Sequence, residues 1–378
     1  MQDLGDRMPA PGRRSRLAWL WSRIGHDLAV DLGTANTLIV VRGRGLVLFQ
    51  PSCVAVDRER ERLVAVGAEA REMLGRAPAP IEVIRPLSSG VISDYDAAQH
   101  MLREFILRVH QRRRFAKPRV VVCVPSGVTP VARRAVEEAA VEAGARRVVI
   151  VSEPLAAAVG AGLPVEEPRG SMVVDIGGGT TEVAIFVLGG VVVGASEPVA
   201  GDAIDQAIVA HLRKERGVLI GERMAERLKI RGAAAGPGLR DVLIEFPAKD
   251  LSTGKPRRLQ VPADELAEAI EEPVSRIVDA VVGVLERAPA EVVPDLAGSG
   301  ITLTGGGSLL VGLDRRLAAE TNVSVRVDPE PMTCVVRGAG ILLERMRLSG
   351  PPRPPRGNVR NRARFAARGP ERRGPPRA

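Results

Sequence analysis

The chain has 378 residues, of which 45 % are hydrophobic and only 2 % aromatic, so it is long enough for two lobes with cores of Val, Leu, Ile and Ala. Its formal net charge of +9 is concentrated at the ends, since nine Arg and one Glu follow residue 348, and five Arg and two Asp precede residue 25. The nearly neutral body disfavours a nucleic-acid-binding groove. No uncharged apolar run reaches the roughly 18 residues that span a bilayer. The cysteines and histidines are scattered and fit no metal-site spacing.

Apolar periodicity in the first half predicts a run of strands, followed by alternating helices and strands. An amphipathic pattern predicts a helix over Asp96–Val109, and Thr129 is the expected N-cap of another helix with Pro130 at its first position. The predicted strands are Leu28–Val30, Leu38–Val41, Leu46–Phe49, Cys53–Val56, Leu63–Val66, Arg119–Val124 and Val148–Val151. The predicted helices are Ala68–Leu74, Asp96–Val109, Thr129–Ala143 and Glu153–Gly160.

The second half repeats this arrangement and ends in a Pro- and Arg-rich tail without periodicity. Its predicted strands are Ser171–Val174, Val183–Leu188, Val242–Phe246, Arg257–Val261, Ile301–Thr304 and Val323–Val327. Its predicted helices are Asp202–Arg216, Gly221–Ile230, Pro262–Arg287 with a kink at Pro273, Leu309–Glu320 and Cys334–Leu348. Strands mixed with helices, with a meander at the start of each half, predict a duplicated α/β fold with a cleft between the halves.

Two glycine-rich acidic turns of the same kind stand 144 positions apart, Asp31–Thr37 and Asp175–Thr181. Each lies between two predicted strands, so each predicts a hairpin with a loop of phosphate size at its tip. Glycine lets backbone amides approach a phosphate, and an Asp at the strand end suits Mg²⁺ held through water. Either turn alone fits a plain hairpin turn. Together they predict one polyphosphate and its metal held between two halves.

Three further features have two interpretations each. The run Gly305–Gly307 ends a strand and opens a helix, which suits an anion or a flat adenine but also tight strand-to-helix packing. Glu153 begins a helix, where it would order an attacking water or merely stabilise the helix N-terminus. Glu226 and Lys229 share a helix face, where they would contact a ribose or adenine edge; the residues alone favour a solvated ion pair between them.

The body from Asp27 to Leu348 resembles the MreB type of bacterial actin homologue, within the superfamily of actin, sugar kinases and heat-shock-chaperone ATPases. The stretches that carry the resemblance are long and cover most of the chain. They are Asp31–Leu38, Ile84–Pro86, Gly90–Asp94, Ala156–Pro164, Ser171–Val183 and Leu303–Gly307. The acidic pair that the family usually has before a proline is Ser152-Glu153 here, and the second acid, which is the implicated one, remains.

The resemblance implies ATP and Mg²⁺ bound between two lobes, and a weak ATPase activity coupled to polymerisation. The candidate catalytic residues are Glu153, which would position the water, and Thr180. Mg²⁺ would be held by Asp31 and Asp175 through water. The nucleotide-binding residues would be Thr34, Ala35, Asn36, Gly178, Gly179, Thr180, Glu226, Arg227, Leu228, Lys229, Gly305, Gly306, Gly307 and Ser308.

The implied fold is the duplicated actin-like, ribonuclease H-like α/β fold, with two lobes around a nucleotide cleft. The expected organisation is a basic amphipathic extension over 1–26, a first lobe over 27–150 with a small subdomain at about 52–93, and a second lobe over 151–337 with a small subdomain at about 202–267. A closing helix over 338–348 would return to the first lobe, and a disordered basic tail would occupy 349–378.

The resemblance also implies head-to-tail filaments that lie on the inner face of the cell membrane and direct cell-wall synthesis with the elongation machinery. Expected partners are therefore other copies of the chain, the membrane surface and that machinery, with no specific nucleic acid. Two elements are candidates for membrane contact. The first is an arginine-flanked aromatic cluster of Leu17, Trp19, Leu20 and Trp21, and the second is the apolar loop residue Phe115. The cluster would alternatively pack on its own domain.

Two other classes of the same superfamily are alternatives. A chaperone-type ATPase would need a substrate-binding β-domain after about residue 350, where this chain has only an Arg- and Pro-rich tail. A sugar kinase would need a catalytic base in a sugar pocket, and no constellation of residues in the sequence supports one. The sequence therefore favours a cytoplasmic, polymerising ATPase.

Overall fold

The computed structural model describes residues 26–110, 117–236 and 242–346. The described residues up to Arg345 belong to one compact unit. None of the helices in these ranges combines the length and apolar character needed to cross a membrane. Outside the described residues lie the predicted tail over 349–378 and all five candidate membrane residues, Leu17, Trp19, Leu20, Trp21 and Phe115.

The first half of the chain forms ten strands and four helices in the ranges that the structure describes. In chain order they are β1 (Leu28–Leu32), β2 (Asn36–Val41), β3 (Gly45–Pro51), β4 (Val54–Asp57), β5 (Arg62–Val66), α1 (Ala68–Met73), β6 (Ile81–Ile84), β7 (Leu87–Ser88), β8 (Val91–Ile92), α2 (Tyr95–Val109), β9 (Arg119–Val124), α3 (Pro130–Glu142), β10 (Arg147–Ser152) and α4 (Glu153–Gly160). Every strand and helix predicted for this half is present.

The second half, within the same described ranges, forms eight strands, seven α-helices and two short 3₁₀ helices. In order they are β11 (Ser171–Ile176), β12 (Thr181–Val187), β13 (Gly190–Glu197), α5 (Gly201–Arg216), β14 (Val218–Leu219), α6 (Glu222–Gly232), β15 (Leu243–Asp250), β16 (Pro256–Pro262), α7 (Ala263–Ala269), α8 (Glu271–Glu286), α9 (Val293–Ser299), β17 (Ile301–Thr304), a 3₁₀ helix (Gly306–Leu309), α10 (Leu313–Thr321), β18 (Val325–Val327), a 3₁₀ helix (Pro331–Thr333) and α11 (Cys334–Arg345).

Two five-stranded sheets with the same topology organise the fold. Their strand orders are β10-β9-β1-β2-β3 and β13-β12-β11-β17-β18. In each sheet, three consecutive strands form an antiparallel meander, and two later strands extend the sheet in parallel. The predicted duplication is therefore confirmed. In each meander, an acidic glycine-rich turn joins the first strand to the second. The two turns therefore occupy equivalent positions in the two sheets.

Each sheet has its own core, built from aliphatic residues on the apolar faces of the packed helices. Met101 and Phe105 of α2 fill the first core, and Ile204 and Ile208 of α5 fill the second; all four are at most 1 % exposed. Each such burial stabilises the fold by about 1.5–3 kcal/mol. The three cysteines, Cys53, Cys123 and Cys334, are free and buried.

Smaller elements accompany each half. A three-stranded sheet of order β5-β4-β6 lies within the expected first subdomain, and one of order β14-β15-β16 lies within the second. The two-residue strands β7 and β8 form a separate hairpin. The sequence did not predict β6, β7, β8, β13, β14 or α9, because most of these elements are too short to show a period.

One predicted helix is two helices. The expected helix over Pro262–Arg287 is interrupted at Ile270, between α7 and α8. Pro273 lies in the first turn of α8, where its missing N–H leaves no hydrogen bond unmade. The prediction of a kink at Pro273 was therefore wrong: the helix starts just before the proline.

Helices α4 and α11 cross at a contact that only glycine permits. A Cβ atom on Gly338 would lie 1.8 Å from the carbonyl oxygen of Ala156, and one on Gly160 would lie 2.0 Å from that of Cys334. Arg337 also donates a 3.0 Å hydrogen bond to the carbonyl of Gly160. Since α4 follows the first sheet and α11 follows the second, this crossing joins the two halves along the Ala156–Gly160 part of α4.

Candidate functional site

The two glycine-rich loops face each other in direct contact. Pairing in the first hairpin ends at Leu32 and Thr37, and pairing in the second ends at Ile176 and Thr181. The contact falls on the intervening loops. A Cβ atom on Gly178 would lie 2.7 Å from Cβ of Ala35, and one on Gly179 would lie 2.7 Å from Oγ1 of Thr34. The bare backbone at these two glycines is what allows the loops to approach.

The turn between β7 and β8 completes this contact, and the sequence analysis gave it no role. Both of its residues have positive φ, 46° at Ser89 and 74° at Gly90. The Gly90 amide donates a 3.0 Å hydrogen bond to Oγ1 of Thr34, and a Cβ atom on Gly90 would lie 2.3 Å from Cγ of Pro125. Ser-Gly between Leu87-Ser88 and Val91-Ile92 is a hairpin-turn pattern that would have revealed the turn, although not its place in the fold.

The contacting loops form one end of a cavity of about 480 Å³. Most of the predicted site residues line it, although they come from distant parts of the sequence. Those that do are Asp31, Thr34, Ala35, Asn36, Glu153, Asp175, Gly178, Gly179, Thr180, Glu226, Lys229, Gly305, Gly306 and Gly307.

Three predicted site residues do not line the cavity. Leu228 is 2 % exposed and belongs to the second core, whereas Arg227 is exposed to solvent. Ser308 is buried, and its hydroxyl donates a 2.6 Å hydrogen bond to the Gly305 carbonyl. The helical period explains the first two, because only Glu226 and Lys229 of that stretch point to the same side of α6.

Three carboxyl groups converge at the bottom of the cavity. Asp31 lies near the end of β1, Asp175 near the end of β11, and Glu153 opens α4. The Thr304 hydroxyl donates a 2.8 Å hydrogen bond to Asp175 Oδ1. In the described ranges, no Lys or Arg forms an ion pair with Asp31, Glu153 or Asp175. Anionic groups brought together without a cation are electrostatically unfavourable.

Burial raises the pKa values of all three groups, and repulsion from nearby carboxylates, which include Glu182 of β12 for Asp175 and Glu153, adds to the rise. Burial, followed by repulsion from Asp175, raises the pKa of Asp31 from its usual 3.8 to about 7. Burial raises the pKa of Asp175 to about 6, although the hydrogen bond from Thr304 opposes the rise. The pKa of Glu153 lies well above its usual range because of burial first, and then the charges of Asp31 and Asp175.

The third glycine run packs against β11 and also lines the cavity. A Cβ atom on Gly305 would lie 2.3 Å from the Ile176 carbonyl oxygen, and one on Gly307 would lie 2.3 Å from Cγ2 of Ile176. Packing on β11 therefore explains these two glycines. The nearest neighbour of a Cβ on Gly306 would be Cγ of Met332 at 3.9 Å, so packing does not require glycine there. All three glycines nevertheless line the cavity.

Ion pairs cross the mouth of the cavity. They differ from the Glu226–Lys229 pair that the sequence alone favoured. Glu226 pairs with Arg71 of α1 rather than with Lys229. Lys229 instead donates 2.9 Å hydrogen bonds to Asp205 and to the carbonyl of Gly201. The prediction of a Glu226–Lys229 pair was therefore wrong. Tertiary structure supplied each of them with a better partner from another element.

A second ion pair lies beside the first at the mouth. Arg85, which follows β6, contacts both carboxylate oxygens of Asp202 on α5, at 2.9 and 2.7 Å. It also lies 3.6 Å from Glu222 of α6. The sequence analysis did not find Arg71 or Arg85, since an arginine in a basic chain carries no signal of its partner. Both arginines connect the first half of the chain to the second.

Comparison with known proteins decides the family. The MreB/Mbl protein family matches residues 25–350, a stretch that includes every residue lining the cavity. The chain belongs to the MreB/Mbl family. The resemblance drawn from the sequence motifs is thereby confirmed.

Relatives and solved structures agree with this assignment. The chain is 48 % identical over 330 residues to the cell shape-determining protein MreB of Escherichia coli K12, covering 86 % of this chain and 95 % of that protein. It is 44 % identical to the cell shape-determining protein Mbl of Bacillus subtilis 168, covering 85 % and 96 %. A crystal structure of MreB5 of Spiroplasma citri bound to AMPPNP superimposes with a TM-score of 0.80 at 33 % identity, covering 85 % and 96 %.

A more distant structure supports the fold alone. The chain of a MamK double helical filament superimposes with a TM-score of 0.69 at 22 % identity, covering 84 % of this chain and 99 % of that one. Together with the MreB5 structure, it confirms the duplicated actin-like α/β fold that the resemblance implied.

The carboxylate cluster predicts how the stability of this MreB/Mbl protein depends on pH. Without ligand and in EDTA, we expect a lower free energy of unfolding at pH 8 than at pH 5.5, by about 2–3 kcal/mol. The folded pKa values of about 7 and 6 at Asp31 and Asp175 exceed the usual 3.8, so the native state holds more protons over this window. Their stabilising effect is therefore lost as the pH rises through the folded values. Thermal unfolding at both pH values measures the difference.

The variant Asp31→Asn tests whether the cluster causes this dependence. Asparagine removes one titrating group and its repulsion, so the difference between the two pH values should shrink. Asp279→Asn is the matched control, because Asp279 is exposed on α8. An Asp31→Asn protein with the same pH dependence as the unmodified chain would contradict the explanation.

Proposed function

We propose that this chain is an ATP-dependent, filament-forming cytoskeletal protein that acts in determining cell shape. The observation that carries the proposal is the contact between two equivalent glycine loops at a cavity with three buried carboxyl groups, in a member of the MreB/Mbl family. Relatives that are 44–48 % identical are named cell shape-determining proteins, and MreB5 of Spiroplasma citri has been crystallised with AMPPNP and with ADP.

The glycine loops would bind the phosphates of the nucleotide. Thr34–Asn36 and Gly178–Thr180 line the cavity and have short side chains, so their backbone amides would be available to an anion. Gly305–Gly307 would lie against the adenosine. Glu226 and Lys229, at the mouth, would contact the ribose and adenine, which requires Glu226 to exchange its pairing with Arg71.

The carboxylates beneath the loops fit a divalent cation. Asp31 and Asp175 would hold Mg²⁺, and their pKa values, raised by burial, are those expected of anions in need of a countercharge. Within the described residues, no three Asp, Glu, His or Cys side chains are grouped as direct ligands, which agrees with a cation held largely through water and phosphate. A bound Mg²⁺ would neutralise phosphate charge.

Glu153 would support slow ATP hydrolysis. It opens α4, lines the cavity beside Asp31 and Asp175, and is 7 % exposed. Its carboxylate would accept a hydrogen bond from the attacking water and so orient it, while Thr180 of the second loop would contact the terminal phosphate or that water. Phosphoryl transfer depends mainly on positioning and charge neutralisation, so few residues suffice.

Polymerisation would follow from closure of the two halves on the nucleotide. A head-to-tail contact that does not close into a ring produces an open filament. The ion pairs of Arg71 and Arg85 join elements of the two halves across the mouth, so a nucleotide that contacts the same groups would set the angle between them. That angle would decide whether the surface of one copy fits the next.

Sedimentation and light scattering of the purified full-length chain test this function. With Mg²⁺ and ATP, we expect scattering to rise above a critical protein concentration and the polymer to pellet; EDTA should prevent both. Peptide-stimulated ATPase activity without polymer would favour the chaperone class, and sugar phosphorylation would favour the kinase class. Absence of both nucleotide binding and polymer in a folded sample would contradict the proposal.

Attachment to the inner face of the membrane and a role in peptidoglycan synthesis form the finer part of the proposal. They are supported by the basic, Trp-containing segment at Leu17–Trp21 and by Phe115 after three arginines, which suit anionic headgroups. Flotation of the same ATP-containing sample with anionic vesicles tests the attachment. A chain lacking residues 1–25 should float less with the vesicles. If this chain binds the vesicles as well as the full-length chain does, membrane contact would be assigned to Phe115 instead.

A further inference from the structure

A fully buried carboxylate outside the cavity connects the two halves. Glu182 of β12 has no exposed surface and does not line the cavity. Its Oε2 atom accepts a 2.9 Å hydrogen bond from the Ser126 amide and another from the Ser126 hydroxyl. Its Oε1 atom accepts one from the Ser196 hydroxyl. Both oxygens are therefore used, and all three donors are neutral.

The donors come from both sheets. Ser126 lies in the turn that follows β9 of the first sheet, whereas Ser196 belongs to β13 of the second. This turn lies directly on β13, because a Cβ atom on Gly127 would be 3.1 Å from Cβ of Ser196. At its other side, Pro125 contacts Gly90 of the turn that closes the loop contact. The bonds of Glu182 thus hold a segment that contacts both the second sheet and the candidate phosphate site.

The position of Glu182 in its sheet places it beside the candidate site. It is the cross-strand partner of Asp175, so both side chains lie on the same face of the sheet. Strand β9, which leads to Ser126, lies between β1 with Asp31 and β10, which leads to Glu153. The Ser126–Glu182 bond therefore connects the strands that position Asp31 and Glu153 to the strand that positions Asp175.

The chemistry of this link makes it sensitive to the relative position of the halves. A buried carboxylate is stable only when it is hydrogen-bonded, and hydrogen bonds to an ionised acceptor are roughly twice as strong as neutral ones. Among the described residues, no Lys or Arg forms an ion pair with Glu182, so the serine hydroxyls and one amide are its support. Opening of the halves at this point would leave a buried charge without its donors from the first half.

We propose that Glu182 is a positioning residue that aligns Glu153 and Asp31 of the first half with Asp175 of the second, through its hydrogen bonds to Ser126 and Ser196. The inference rests on the proposed nucleotide hydrolysis, because the rate of hydrolysis is the measure of how well the three carboxyl groups are aligned. It assigns no contact between Glu182 and nucleotide. Its role is to favour the closed arrangement in which the three carboxyl groups converge.

Steady-state kinetics of variants at Glu182 and Ser126 test the inference. Glu182→Gln keeps the size of the side chain but removes the charge, and Ser126→Ala removes one donor. Each should lower kcat for ATP hydrolysis about tenfold and leave KM within about twofold, since misplacement affects the reacting groups more than binding. Combining the two should add little further loss. Ser126→Thr should restore kcat, because Ser126 is exposed and threonine retains the hydroxyl. Glu268→Gln, an exposed acid on α7, is the matched control.

A distance measurement separates alignment from general stability. Spin labels at Glu59 and Lys255 would lie in exposed turns of the two small sheets, one in each half, and the native cysteines are buried. Mg-ATP should narrow the distance distribution in the unmodified chain. In Ser126→Ala, which preserves the buried carboxylate and two of its three donors, the Ser126 amide and the Ser196 hydroxyl, the distribution should stay broad at saturating nucleotide.

The outcomes distinguish this inference from the proposed function. If the unmodified chain binds no ATP, the proposed function fails. If it binds and hydrolyses ATP, but Ser126→Ala and Glu182→Gln keep the unmodified kcat and the narrowed distribution, only the positioning role of Glu182 is overturned. Loss of folding in Glu182→Gln leaves Ser126→Ala to decide. Equal losses in kcat and affinity would also overturn it, since they indicate general damage.

Discussion

Replacing Glu153 by glutamine is expected to slow ATP hydrolysis about 100-fold while nucleotide affinity stays within about threefold. Glu153 opens α4 at the base of the cavity, beside Asp31 and Asp175, whereas the glycine loops that would bind the phosphates belong to other elements. Glutamine has the same size, but its amide cannot accept a proton from the attacking water. Turnover should therefore fall without loss of binding.

Phosphate release and calorimetric titration with a non-hydrolysable ATP analogue measure the two effects separately. Glu291→Gln is the matched control, because Glu291 is exposed and does not line the cavity. Filaments of Glu153→Gln should also persist longer after ATP is added, if hydrolysis promotes disassembly. Unchanged phosphate release would remove Glu153 from its assigned role.

Replacing Gly179 by valine is expected to weaken nucleotide binding by at least about 100-fold, equivalent to about 2.7 kcal/mol. A Cβ atom at this position would already lie 2.7 Å from the Thr34 hydroxyl and 3.0 Å from the Ser89 backbone. The added side chain would separate the two loops or occupy the space of the phosphates. Alanine should produce a smaller loss of the same kind.

A glycine without close neighbours provides the control for this experiment. Gly283 lies within α8, and a Cβ atom there would have no heavy atom within 4 Å. Gly283→Ala should leave binding unchanged and slightly stabilise the helix. Circular dichroism of both variants shows whether the fold persists. Unaltered ATP affinity in a folded Gly179→Val protein would contradict the loop site.

The hairpins show how much the sequence predicted. Alternating apolar residues on either side of Asp31–Thr37 and Asp175–Thr181 correctly predicted strands that pair across a tight turn. Local patterns suffice for this, because side-chain alternation and turn chemistry act between near neighbours. The N-cap at Thr129 was predicted for the same reason, and its hydroxyl accepts a hydrogen bond from the Ala132 amide.

Pairings between distant elements were not predictable in the same way. Glu226 and Lys229 were placed correctly on one face of a helix, yet their partners are Arg71 and Asp205. The sequence analysis assigned no role to Glu182, although this residue connects the two sheets. The sequence contains many arginines that could pair with Glu226 and many serines that could donate hydrogen bonds to Glu182. Only the folded geometry selects the actual partners.

The order of residues along the chain was enough to predict most of the strands and helices, the two glycine loops and the acids beside them. These features depend on interactions within about ten residues, whose energies are set by local chemistry. Tertiary structure decided how the loops meet at Gly178 and Gly179, which ion pairs cross the cavity, and how Ser126 reaches Glu182. Such contacts join residues far apart in sequence, and their distances exist only after both sheets have packed.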